Sequence, residues 1–245
     1  MTETALLALL FFGAATLYSS VGHAGASGYL AVMALAGMSP DVMKPTALLL
    51  NIIVASIATV RFARASYFSW AVFWPFALSS IPFAALGCAI AVPAPLYSVG
   101  LGIILLLAAY RVFFFTDAVA TIRRPLPLLA GMTWGAGMGF VSGLTGIGGG
   151  ILLSPLLMLA GWADARKSAG VAAAFVLVNS VAGIVGHIGA AGWLPRTIVP
   201  WAIAAAMGGF VGSGLGVRQF AEVTLRRLLA GVLALAGLKL IFAPR

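Results

Sequence analysis

Charge is scarce in this 245-residue chain: 14 Lys and Arg and 5 Asp and Glu make up 8% of it, against 62% hydrophobic residues. No water-soluble domain of this size hides so much apolar surface, so the composition is that of an all-α polytopic membrane protein. Acidic residues are rarest. Glu3, Asp41, Asp117, Asp164 and Glu222 all fall at segment ends or in loops, none in the middle of an apolar run. Cation transporters and proton relays generally need a carboxylate inside the membrane. A site built only from N–H groups, hydroxyls and amides selects anions. Cysteine is nearly missing as well: the lone Cys88 excludes internal disulfides and a cysteine-based metal site, and no cofactor motif is present. The apolar stretch from Ala5 to Leu17 is preceded by Glu3 and by no Lys or Arg. Without a basic n-region it is expected to remain as a first helix, not to serve as a cleaved signal. The net charge of +9 would suggest nucleic acid in a soluble protein. Here basic loops follow from the positive-inside rule, and the expected surroundings are a lipid bilayer, with no nucleic-acid partner.

What is present is a succession of apolar segments, near 4–21, 25–38, 42–60, 69–92 and 96–115, then 126–142, 147–161, 168–188, 197–217 and 225–242. Most have the length of a membrane span, about 20 residues. The two shortest, 25–38 and 147–161, each follow a cluster of glycines. Turn signals at Met38-Ser-Pro40, Pro93-Ala-Pro95, Arg124-Pro125 and Trp193-Leu-Pro195 separate others. The two halves repeat. At a shift of 123, Gly25, Leu30, Asp41, Lys44 and Trp70 fall on Gly148, Leu153, Asp164, Lys167 and Trp193; at 128, Leu101, Leu105, Leu107, Ala108 and Arg111 fall on Leu229, Leu233, Leu235, Ala236 and Lys239. The chain reads as one membrane transport domain, 1–245, built of internal repeats 1–122 and 123–245.

Five segments is an odd number, so if each crosses the membrane the halves lie inverted. Ten crossings with the N-terminus outside put ten basic residues inside, among them Arg61, Arg64, Arg166, Lys167 and Arg218, and leave Lys44, Arg196, Lys239 and Arg245 outside. If the short segments instead return to the side they came from, the division is eight to six. The positive-inside rule favours the inverted arrangement.

The stretch Gly143-Leu-Thr-Gly-Ile-Gly-Gly-Gly-Ile-Leu-Leu-Ser-Pro155 holds five glycines in eight residues, and Gly22-His-Ala-Gly-Ala-Ser-Gly28 is its fainter copy. Such a break within lipid is tolerated where it is buried in protein or lines a polar cavity. A 14-residue helix spans about 21 Å at ~1.5 Å per residue, less than the ~30 Å hydrocarbon core, so each short helix should start inside the membrane. Inversion points both N-termini at the middle, where unpaired N–H groups and the helix dipole form an anion site. The alternative is that the glycines only let helices pack closely. The candidate ligands are Gly25, Gly148, Gly149 and Gly150 through the backbone, and His23, Ser27 and Thr145 beside the breaks. Asn51, Asn179 and Ser180 join them from deep in the third segment of each half. Each has a plainer role open to it: His23 structural, Ser27 and Thr145 bonded to their own backbone, the amides bridging helices.

The duplicated glycine break with its short helix, followed by Lys44-Pro-Thr-Ala-Leu-Leu-Leu-Asn51 and by Ala172-Ala-Ala-Phe-Val-Leu-Val-Asn179-Ser180, resembles the TauE/SafE family of sulfite exporters. The first-half motif departs from a triple glycine, reading Gly25-Ala-Ser-Gly28. The resemblance implies transport of sulfite, an organosulfonate such as sulfoacetate, or a related sulfur anion across the bacterial inner membrane. Two other readings stay open from the residues. One is a carrier of a cation or a neutral solute. The other is an intramembrane serine protease with Ser27 as nucleophile and His187 as base, on a four-residue motif that the duplication does not explain. Whether a second copy pairs with the chain as a homodimer is also left open.

Overall fold

The structure, a computed structural model, describes residues 2–114, 125–188, 198–218 and 223–242. They form ten helices: α1 Thr2–Ser20, α2 Ala26–Leu35, α3 Pro40–Arg64, α4 Trp70–Ala89, α5 Ala94–Phe114, α6 Leu128–Thr145, α7 Gly150–Leu159, α8 Ala165–Ile188, α9 Ile198–Arg218 and α10 Val223–Phe242. Each expected apolar segment is one helix, and the described residues include no strand. By length and composition, Pro40–Arg64, Trp70–Ala89, Ala165–Gly186 and Ile198–Arg218 suffice to cross a membrane. The Trp193-Leu-Pro195 turn lies outside the described residues, as do Asp117, Arg123, Arg124, Arg196, Glu222 and Arg245.

The short helices are shorter than their apolar runs. Both have 10 residues, about 15 Å at ~1.5 Å per residue. Each stops at a left-handed glycine, Gly37 at φ 76° and Gly161 at φ 70°. The closing bonds match: Met38 N donates to Met33 O and Trp162 N to Leu157 O, spanning the last turn in both helices.

Glycines also set how closely the long helices approach. Gly131, Gly135, Gly139 and Gly143 of α6 lie against Pro75, Phe76, Ser80 and Ala84 of α4; Gly208, Gly212 and Gly216 of α9 lie against Phe12, Thr16 and Ser20 of α1. In most of these places a Cβ would run into the partner's backbone, so the seams admit only glycine. Gly143 is therefore a packing residue, as the plainer reading of the cluster had it. α3 and α8 pack on each other between these pairs, α3 also against α9 and α8 against α4, while α5 pairs with α10. Tyr18, Tyr29, Phe62, Phe76 and Phe175 are fully buried, and Leu9, Leu129, Ile203 and Phe210 are among the large apolar side chains exposed on the outside.

Contacts fix which helix ends lie together. Arg166, at the start of α8, donates to the Tyr67 hydroxyl just beyond the end of α3 (2.7 Å), and the Arg61 guanidinium sits 3.6 Å over the Phe210 ring of α9. At the opposite end of α3, Lys44 Nζ donates to Cys88 O at the end of α4 (3.1 Å), and Lys239 Nζ to Leu35 O (2.8 Å). The sequence reading counts Lys44 among the basic residues left outside, at the start of its segment. It is instead a buried residue in the second turn of α3, its ammonium answered by a helix-end carbonyl.

Candidate functional site

The second break is a run of left-handed backbone. Gly146 ends α6 at φ 80°, and Gly148 and Gly149, at 80° and 78°, lead into α7 with Gly149 as its N-cap. An L-residue in that conformation costs roughly 1–2 kcal/mol, so three within four positions explain why the sequence there is glycine. Thr145 does not present its hydroxyl to a ligand: Oγ1 donates to Val141 O (2.7 Å) and accepts from Ile147 N, while its carbonyl takes the Tyr97 hydroxyl at 3.0 Å. The first break turns at Gly22, Ala24 and Gly25, with φ of 79°, 53° and 110°. Ala24 is held there by the buried Tyr29, whose hydroxyl donates to Ala24 O at 2.7 Å.

The two breaks meet. His23 Nε2 lies 3.0 Å from Ser154 Oγ, one turn into α7, and a Cβ on Gly150 would stand 3.2 Å from His23 Cδ2. On the other flank, a Cβ on Gly148 would be 3.0 Å from Asn51 Nδ2 and 3.4 Å from Ser180 Oγ. Asn51 Nδ2 itself donates to Ser180 Oγ at 3.3 Å, joining α3 to α8. His23, Asn51, Gly148, Gly150, Ser154 and Ser180 thus form one constellation. Asn51 is the twelfth of the 25 residues of α3, so the constellation lies at the mid-height of that helix.

Backbone donors stand at the starts of both short helices. Tyr29 N to Gly25 O begins the ladder of α2, and Leu152 and Leu153 N to Gly149 O begin that of α7. The N–H groups of Ala26, Ser27 and Gly28, and of Gly150, precede those bonds and stand at the positive ends of the two helix dipoles. Asp41 and Asp164 lie at helix starts remote from the meeting point, and Asp164 caps Lys167 N at 2.9 Å.

Other expected residues stand apart. Ser27 is buried beside the Tyr18 hydroxyl. Asn179 turns its Nδ2 onto Phe175 O, one turn back in α8 (2.9 Å), and Gly149 packs on that same Phe175 ring. Asn51 and Asn179 share one peculiarity: both are fully buried and both leave Oδ1 without a partner. Sequence reasoning missed Ser154, although its spacing of four from Gly150 puts it on the same helix face. It also missed Tyr97 and Lys44, which brace the second break, Lys44 by packing within 3.3 Å of where a Gly146 Cβ would stand.

Comparison with known proteins gives a consistent result. The family described as Sulfite exporter TauE/SafE matches residues 7–240. A protein of Sinorhizobium fredii (strain NBRC 101917 / NGR234) named "Probable membrane transporter protein y4hK" is 40% identical over 245 residues, covering 98% of this chain and 99% of that one. No solved structure matches.

Proposed function

The chain belongs to the sulfite exporter TauE/SafE family, and on that premise we propose that this multi-pass membrane transporter carries a small sulfur-containing anion, sulfite or an organosulfonate such as sulfoacetate, outward across the bacterial inner membrane. One observation carries the reading: two glycine breaks, each opening a half-length helix, meet at mid-height among buried amides and hydroxyls and away from any described carboxylate. The N–H groups at the two helix starts, with Gly25 and Gly148–Gly150 giving close approach, hold the anion's oxygens. The Ser180 hydroxyl, whose oxygen already accepts from Asn51, has its proton free to donate. His23 and Ser154 close the other side. Asn179 swings its amide from Phe175 O to the ligand, and Ser27 and Thr145 shape the turns.

Several contacts support two inverted repeats. Gly22 of the first break packs on Ala169 near the start of α8, and Gly146 of the second on Lys44 near the start of α3, so the breaks enter from opposite ends. Arg166 shares an end with Arg61, as ten crossings require and a pair of re-entrant segments does not. Export of an anion from a negative-inside cell is electrically downhill by ~2.3 kcal/mol per charge per 100 mV, so no coupled cation is needed. Access alternates by movement of one helix group against the other around the fixed site.

Thermal stabilisation of the purified protein tests this, because a ligand of the folded state raises apparent stability by mass action. Sulfite or sulfoacetate should raise the melting temperature where taurine, sulfate and chloride do not, and Asn51→Ala should abolish the rise. A shift with a cation or neutral solute and none with any anion would refute the proposal.

A further inference from the structure

The ends of α3 and α9 border an open cavity of about 490 Å³ lined by Arg61, Arg64 and Arg218 together with Phe210, Val211 and Leu215. We propose that this cavity binds the phosphate of an anionic phospholipid headgroup in the leaflet on the basic side of the protein.

Three arginines, Arg61, Arg64 and Arg218, line it, and no acidic side chain is among its described lining residues. Like charges gathered at one opening repel, and an anion between them relieves that repulsion. Arg61 is not simply extended into water: it lies over the Phe210 ring and donates through Nη1 to Phe210 O, an anchorage on α9 that leaves four of its five N–H donors for a ligand. Arg64 and Arg218 line the same cavity and add N–H donors of the kind that pair with phosphate oxygens. The other wall faces outward from the bundle, with Phe210, Val211 and Leu215 exposed at 58%, 45% and 48%. An apolar outer wall below a basic mouth, at the ends of two helices of membrane-spanning length, has the form of a diacyl lipid with its phosphate at the interface. The corresponding ends of α4 and α8 meet as Gly186 on Ala85 O, and neither last turn holds a Lys or Arg. Among the described residues, the basic cavity is therefore a local feature without a counterpart at those ends.

The test compares the full-length protein in neutral detergent with added phosphatidylglycerol, phosphatidylcholine or inorganic phosphate, without any transported anion, so that it stands independently of the transport reading. Phosphatidylglycerol should raise the melting temperature by about 3 °C or more, and the other two should not. The Arg61→Gln/Arg218→Gln pair should lose that rise. An Arg166→Gln/Lys167→Gln pair, which removes equal charge from the same end but outside the cavity, should keep it. Should the first pair not fold, Arg218→Gln alone, an exposed position, should retain one phosphatidylglycerol fewer by native mass spectrometry. Equal loss in both pairs would reduce the effect to diffuse surface charge and overturn the site. A rise with inorganic phosphate alone would make it a site for free anions, and one with phosphatidylcholine would make it unselective; either also overturns it.

Discussion

Asn51 and Asn179 each bury an amide oxygen with no partner, a loss of about 1–3 kcal/mol apiece in a folded protein. Such a loss persists where function requires the group. If Asn179 is held for the ligand, Asn179→Leu removes an unsatisfied acceptor and should raise the ligand-free melting temperature by about 2–4 °C, while the response to sulfite disappears. A lower melting temperature with the sulfite response retained would mark the amide as structural. The two candidate hydroxyls divide instructively. Thr145 and Ser180 look alike in the sequence, yet Thr145 closes its bonds within its own turn while Ser180 reaches across to α3. Only the helix crossing distinguishes them, and residue type does not reveal it. Ser154 was hidden for the converse reason: its counterpart at the shift of 123 is Ala31, so comparison of the repeats passed over it.

Among elements, the glycines fall into three kinds that the sequence presents as one. Gly143 sits in a seam, Gly148 and Gly149 hold left-handed turns, and Gly100 in α5 has nothing within 4 Å of where a Cβ would stand. Alanine substitution should separate them. Gly148→Ala adds a Cβ 2.7 Å from Val176 at φ 80° and should lower the melting temperature and abolish transport. Gly100→Ala should stabilise α5 by about 0.5–1 kcal/mol and leave transport intact; equal effects would mean that the breaks have no special backbone. The ten segments and the two breaks were legible because hydropathy and glycine density are properties of the chain itself. The true ends of the short helices were not. Gly37 and Gly161 stop them inside apolar runs, through a capping geometry that hydropathy does not register. The glycine spacing of four in α6 and α9 was equally visible, but its meaning depends on which helix lies opposite.

For the whole molecule, the contacts separate the described charges into a strongly basic end, with Arg61, Arg64, Arg166 and Arg218, and an end holding Lys44 and Lys239. In a Cys88→Ser background, Lys239→Cys should react with an impermeant maleimide added to intact cells, and Arg64→Cys and Arg166→Cys only after lysis. Labelling of Arg64→Cys and Arg166→Cys from opposite sides would exclude ten crossings.

The two glycine seams join α4 to α6 and α1 to α9, so each clasps a helix from one half of the chain to one from the other. On the ribosome, the side of α1 bearing Phe12, Thr16 and Ser20 waits for a partner nearly 200 residues downstream, about 10–40 s at ~5–20 residues per second. Through that interval its carbonyl-lined groove faces lipid or the insertion machinery. A chain truncated after its first half leaves α1 and α4 each with an unsealed groove, ready to pair with those of a second truncated copy.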